Sequence, residues 1–254
     1  MKKRNITLFT AIAAAAAFAS SAQAAVVLSD NWTGDYRILY ETMGRENQNG
    51  SLAGAGGVNA FVTTDANSAA STKTKDLGIT TWYAVASFIG EADARTNTLT
   101  TGAGTGIHIY TPTATLGTYQ LVANGYAELW NAASVDLLTP ITMGDGAAAG
   151  SIGGFTDKIW TGSKSDGTPE GDGTFTGQDP QALGSAFGTT SNMKIANLGA
   201  TNGGWIQGAT VNDQGGDRGE FHYYAISDVV VIPEPSSMSL LALGGLALLR
   251  RRRA

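Results

Sequence analysis

The chain has 254 residues, with 34 Gly, 6 Pro and no Cys; 43% of residues are hydrophobic and 15% charged. At about 100–200 residues per domain, this is one ample domain or two small ones, with enough apolar side chain to bury a core. Having no Cys excludes a disulfide scaffold, thiolate-bound zinc or iron–sulfur, and a thiol nucleophile, while two histidines, His108 and His222, leave little for a multi-histidine metal centre.

The formal charge of −5 conceals an asymmetry. Seven of the 16 basic residues are Lys2, Lys3, Arg4 and Arg250 to Arg253, so 25–232 carries nine Lys/Arg against 20 Asp/Glu. An acidic surface of this kind repels phosphate backbones, and no nucleic-acid partner is expected.

The N-terminus reads Met1-Lys-Lys-Arg4, an apolar run from Ile6 to Ala19, then Ser-Ser-Ala-Gln-Ala24. A basic start, a short apolar stretch and small residues at Ala22 and Ala24 are the three parts of a secretory signal peptide. Residues 1–24 are therefore expected to be removed, leaving Ala25 as the first mature residue. The Sec translocase and signal peptidase are the partners this implies. The 14-residue apolar run is too short and Ala-rich for a comfortable membrane span.

Residues 25–232 contain no low-complexity linker and no repeat, and read as one secreted globular domain. Asp35–Thr42 is rich in aromatic and aliphatic residues and predicts a strand. Ala55, Val58, Phe61, Val62, Ala66 and Ala69 recur at three and four, predicting a helix that Gly54, Gly56 and Gly57 weaken at its start. Thr80–Ile89, with Trp82, Ala84, Ala86 and Phe88 alternating, predicts a core strand, and Gly106–Tyr110 a shorter one. Asn124–Asn131 reads as a helical turn. Asp157–Thr161 and Glu220–Ile232 are the remaining strands. Between Gly162 and Gly204 the chain is Gly-, Ser-, Thr- and Asp-rich and reads as organised loop.

That loop carries the candidate binding residues: Lys164, Asp166, Asp172, Asp179 and Trp205. Asp166, Glu170, Asp172 and Asp179 among glycines are ligand types that calcium uses. They lack the EF-hand order, however, and solvated Asp-Gly turns are the plainer reading. No cofactor and no metal are otherwise expected. No Gly-x-Ser-x-Gly elbow occurs, Gly102-Ala-Gly-Thr-Gly106 lacks the Lys-Ser/Thr of a phosphate loop, and both histidines read as structural. Catalytic residues are not assigned. A single Thr111-x-Thr113-x-Thr115 is too little for an ice-binding array. Trp82, Trp130, Trp160 and Trp205 are of a size that usually packs in a core, although Trp205 in its loop could instead stack on a sugar ring.

The C-terminus is Val229-Val-Val-Ile-Pro233-Glu234-Pro235, an apolar run over 236–249, then Arg250, Arg251, Arg252, Arg253 and Ala254. Fourteen residues make a helix of about 21 Å against about 30 Å of hydrocarbon, a marginal anchor. The arginines hold its far end on the cytoplasmic side. Pro-Glu-Pro, short apolar helix and terminal Arg cluster, over 233–254, resemble the PEP-CTERM sorting signal of Gram-negative bacteria. The resemblance implies recognition of Pro233, Glu234 and Pro235 by an exosortase that removes the tail. It further implies a chain transiently anchored in the inner membrane, then released to the cell surface or biofilm matrix, with exopolysaccharide as a partner. An uncut anchor is the alternative.

A second resemblance covers the domain. Ile107-His-Ile-Tyr, Leu121-Val-Ala-Asn-Gly-Tyr-Ala-Glu-Leu-Trp130, Pro140-Ile-Thr, Ile159-Trp-Thr-Gly-Ser-Lys-Ser-Asp-Gly-Thr168 and Tyr223-Tyr-Ala-Ile-Ser227 are similar to endostatin-like, C-type-lectin-like modules. The disulfides of the animal modules have no counterpart here, nor do their heparin-binding surface arginines. The resemblance implies an α+β C-type-lectin-like single domain with a long loop region, the alternative being an all-β sandwich. It further implies that Tyr36–Thr42 pairs with Tyr223–Val231. The function expected is a non-enzymatic, exported surface or matrix protein, with carbohydrate or another matrix component as ligand; the alternative is a secreted polysaccharide hydrolase.

Overall fold

The computed structural model describes residues 26–45, 54–88, 91–130, 137–149, 158–171, 180–181, 192–212 and 221–232. The signal cleavage residues Ala22, Ala24 and Ala25, the sorting tripeptide, the 236–249 run, Arg250 to Arg253, Asp172 and Asp179 lie outside them.

Nine short strands and three helices are described: β1 (Val27–Leu28), β2 (Tyr36–Glu41), α1 (Gly54–Ala66), β3 (Trp82–Ala84), α2 (Ala94–Asn97), β4 (His108–Pro112), β5 (Thr118–Ala123), α3 (Tyr126–Leu129), β6 (Pro180–Gln181), β7 (Asn192–Lys194), β8 (Thr210–Asn212) and β9 (Tyr224–Ser227). Six strands form one mixed sheet in the order β1-β5-β4-β2-β9-β3, and β6-β7-β8 form a second sheet. The fold is mostly β, with few helices. The pairs β1–β5 and β2–β4 are parallel; β2–β9, β3–β9 and β4–β5 are antiparallel.

Strand β2 sits near the middle, and all six of its residues are buried. Its alternation therefore divides the strand between two cores rather than between core and water. Ile38 and Tyr40 join Val58, Val62, Ala66 and Trp82 on the α1 side. Leu39 joins Ile109, Val122, Trp130, Trp205 and Ile226 on the other.

Helix α1 buries Val58, Val62 and Ala66, one residue per turn on a single face. It stops at Ala66, short of the expected Ala69, where Thr74 Oγ1 donates to the freed Ala66 carbonyl at 2.7 Å. The Asp65 carboxylate then ties the surrounding loops together. It accepts from Gly44 N (2.6 Å), Met43 N (3.1 Å), Ser71 Oγ (3.1 Å) and Tyr40 Oη (3.2 Å).

Three expected strands are shorter than their apolar patterns, Glu220–Ile232 reducing to Tyr224–Ser227 among the described residues. Only Trp82–Ala84 of Thr80–Ile89 is ladder-bonded, although Trp82, Ala84, Ala86 and Phe88 are all buried as their alternation predicts. Beyond Val85, whose amide still donates to Tyr224 O at 2.8 Å, the chain leaves β9, and the Ser87 amide donates instead to Thr161 O at 2.9 Å. The Asp157–Thr161 segment contributes isolated bridges at Ile159 and Trp160, not a strand. Strand β5 was not foreseen as a separate strand. Its sequence, Thr-Tyr-Gln-Leu-Val-Ala, carries only one exposed residue, Gln120, to break an otherwise buried or half-buried run.

The expected closure is present: β2 and β9 pair through Leu39–Ile226, Tyr40–Ala225 and Glu41–Tyr224, with a further bridge between Tyr36 and Val230. This register defines the two ends of the sheet. At one, Tyr36 lies beside His108 and Val230, where the chain leaves the domain. At the other, Glu41 lies beside Tyr224, and Ser87 reaches the 158–171 segment. Five residue steps of β2, from Tyr36 to Glu41, separate the ends by about 17 Å.

Candidate functional site

The end remote from the tail carries a compact hairpin. Ser163 bridges Pro169, Lys164 N donates to Thr168 O (2.8 Å) and Gly167 N to Lys164 O (2.9 Å). Asp166 Oδ1 accepts from the Thr168 amide (2.9 Å) and hydroxyl (2.6 Å), an Asx turn. Gly167 has φ +78, and a Cβ there would lie 2.8 Å from both Arg95 Cγ and Trp130 Cε3. Glycine is required twice over, for the left-handed backbone and for the close approach.

The hairpin is locked from outside as well. Gln207 accepts from Ser165 N (2.9 Å) and donates through Nε2 to Glu170 Oε2 (3.1 Å). Burial works to raise the Asp166 carboxyl, but its bonds from Thr168 and the charges of Arg95 and Lys164 hold it below its ordinary value. Lys164 is exposed and Asp166 half-buried. Together with Arg95, Asp93, Glu170 and Gln207 they form a polar surface of interleaved donors and acceptors. Neutral sugar hydroxyls, each able to donate and accept, suit such a surface. Among the described residues no three of His, Cys, Asp and Glu converge as a metal-binding group.

Trp205 is not part of that surface. It is fully buried, with ring centroids of Trp130 and Tyr224 at 5.8 and 5.7 Å. The expected contact with ligand is therefore corrected: the 3-10 turn Gly203–Trp205 aims the indole inward beneath the hairpin, where a side chain of that size gains most from leaving water. Trp82, Trp130 and Trp160 are buried too, as their size predicts.

The tail end carries a cluster that the sequence reading did not single out. Trp32 stacks on His108 at 3.7 Å and 12°, and its indole N–H donates to Asp35 O at 2.9 Å. Asp30 bridges His108 Nδ1 (3.0 Å) and the Tyr110 hydroxyl (2.8 Å). Gly34 makes room, since a Cβ there would lie 2.6 Å from Trp32 Cζ2. Asp30 and Trp32 lie far from His108 along the chain (78 residues in the case of Asp30), and the β1–β5 and β2–β4 pairings join them; no local pattern could have flagged them. His222, by contrast, is structural as expected: it is buried, its Nδ1 lies 2.6 Å from Thr42 O, and its Nε2 accepts from Arg45 Nε at 2.8 Å.

Burial works to raise the Asp30 carboxyl, but bonds from Tyr110, the Trp32 amide and His108 outweigh it and hold the group below its ordinary value. A folded-state value below the unfolded one contributes stability above the ordinary carboxylate range, lost as pH falls through the folded value. The melting temperature of the parent should therefore exceed that of Asp30→Asn at pH 7. The gap should narrow as the pH is taken below about 4; a gap independent of pH would refute the linkage.

A family model described as the PEP-CTERM protein-sorting motif matches residues 231–253. The chain carries a PEP-CTERM sorting signal. No curated protein and no solved structure matches it. The PEP-CTERM signal makes the chain an exported protein, recognised by an exosortase and anchored through its C-terminus before processing. Among the described residues no helix is long and apolar enough to cross a membrane. The motif begins one residue after Val230, so the PEP-CTERM tail leaves directly from the sheet end that holds Trp32 and His108.

Proposed function

We propose that this protein is a non-enzymatic, C-type-lectin-like surface or matrix module that binds carbohydrate through its 158–171 hairpin. Signal peptidase would free its N-terminus at Ala25 after Sec export, and exosortase would remove its tail at the inner membrane. The product would lie at the cell surface or in an exopolysaccharide matrix. The observation that carries the reading is the separation of the two ends. The sorting tail leaves beside Tyr36, while Thr161, Ser163 and Gly167, which seat the hairpin, bond to Ser87 beyond the Ala84–Ala225 pair, toward the other end of the sheet. A protein held by its C-terminus would present that hairpin outward.

Pairing of β2 near the start with β9 near the end, with α1 following β2, supports the C-type-lectin-like assignment, although the expected 162–204 loop carries β6 and β7 of the second sheet. The groups proposed to hold calcium are the carboxylates of Asp166, Glu170, Asp172 and Asp179. Lys164→Ala with Asp166→Ala should lower retention on a glycan array by roughly tenfold, the effect of losing one or two charge-assisted hydrogen bonds. Both side chains are at least partly exposed, so the melting temperature should stay within a few degrees of the parent's. Unchanged glycan retention would reject the hairpin as the site.

The hydrolase reading rests on Asp30 and His108. A carboxylate on Nδ1 orients the ring as it does in general-base histidines. Release of reducing ends from exopolysaccharide, lost in His108→Ala, would replace the binding reading with that one.

A further inference from the structure

The last ladder contact of the domain lies very close to the sorting tripeptide. Tyr36 and Val230 exchange both backbone hydrogen bonds, at 3.1 and 2.8 Å, and only Val231 and Ile232 stand between Val230 and Pro233. Fully extended, that stretch spans at most about 10 Å. A single helix with its side chains is about 10–12 Å across. Any protein wall that grips Pro233-Glu234-Pro235 while the domain is folded must therefore touch the domain.

The geometry points to a second recognition surface for the sorting enzyme: the tail-end face of the domain, formed by Thr81, Asp228 and Val231 and flanked by Asp30 and Asp35. The inference rests on the exosortase reading and extends it from a tripeptide to a folded epitope. Three features suit the face to this role. It is rigid where the tail leaves, because Asp228 N donates to Thr81 O at 3.1 Å just before the Tyr36–Val230 bridge; docking orders little that is not already ordered. It offers an apolar contact in Val231, 67% exposed. It is acidic, through Asp228 together with Asp30 and Asp35. Carboxylates there repel anionic lipid headgroups and favour a basic protein face. The partner is accordingly the enzyme and not the bilayer.

The test follows processing of the full-length chain by pulse–chase in cells that contain the exosortase. Asp228→Asn with Thr81→Lys leaves the tripeptide intact and changes only exposed side chains. Processing should slow about two- to fivefold, the range expected for rim charges. Eight Gly/Ser residues inserted between Ile232 and Pro233 should uncouple domain from tripeptide, so that parent and double variant are then processed at one rate. Parental processing of the double variant in the native-length chain would overturn the inference. So would a parent that is processed faster with the insertion, because the face would then be an obstacle rather than a contact. Failure of the underlying reading is separate: it would show as normal processing of Pro233→Ala, Glu234→Ala.

Discussion

Pro233→Ala with Glu234→Ala should leave the chain uncut in the membrane fraction, with a full-length mass less the signal peptide. The tripeptide is what the exosortase reads, and two prolines fix φ at both ends of it while denying it helical backbone. Alanine at 233 releases φ at one end of the tripeptide, and Glu234→Ala removes the only acidic side chain of 233–254. A loss of at least about tenfold in released product corresponds to roughly 1.4 kcal/mol of recognition. Deleting Arg250 to Arg253 should act differently, disturbing orientation and retention, because those charges resist crossing the bilayer. An intact mass of the parent surface protein that still includes the apolar run would mean a plain anchor instead.

Asp65→Ala should be the most destabilising polar change within the domain. Four donors converge on this buried carboxylate, from β2, the 43–44 turn and Ser71. Tyr40 Oη retains an alternative acceptor in Val62 O at 3.2 Å, so the loss falls on Met43 N, Gly44 N and the buried Ser71 hydroxyl. Bonds to a charged group contribute about 1.5–3 kcal/mol each at most, and they are not additive; a net cost of about 3–4 kcal/mol is expected. In a domain of this size that lowers the melting temperature by about 10 °C. Asp65→Asn keeps the shape and two acceptor lone pairs, and should cost less than half as much. A melt of Asp65→Ala within 2–3 °C of the parent would show that water replaces the carboxylate.

The sequence reading and the structure diverge in a regular way. Residues whose role follows from their immediate neighbours were legible. Val58, Val62 and Ala66 recur at helical spacing and line one face of α1; Trp82, Ala84, Ala86 and Phe88 alternate and are buried; His108–Pro112 and Tyr224–Ser227 are short strands overlapping the expected Gly106–Tyr110 and Glu220–Ile232. Lys164 and Asp166 were legible as loop residues because Asp-Gly enforces a turn. Trp205 was ambiguous for the opposite reason: in a glycine-rich loop its local setting says surface, and only the packing against Trp130 and Tyr224 says core.

By itself, the sequence determined the C-terminal sorting address of this protein. Pro-Glu-Pro, an apolar run and an Arg cluster act as a linear signal, read in order by other proteins, so no tertiary contact is needed to give them meaning. The acidic balance of 25–232 likewise disfavours nucleic acid whatever the fold. Only the tertiary structure decided which side chains share a surface. Asp30 meets His108 because β1 joins β5 and β2 joins β4 in parallel, pairings that require long connections and leave no local trace. The same long-range ladder, β2 against β9, places the tail at one end of the sheet and the hairpin at the other. Strand register is fixed by which faces must be buried across the whole sheet, and that is a property of the assembled core rather than of any segment.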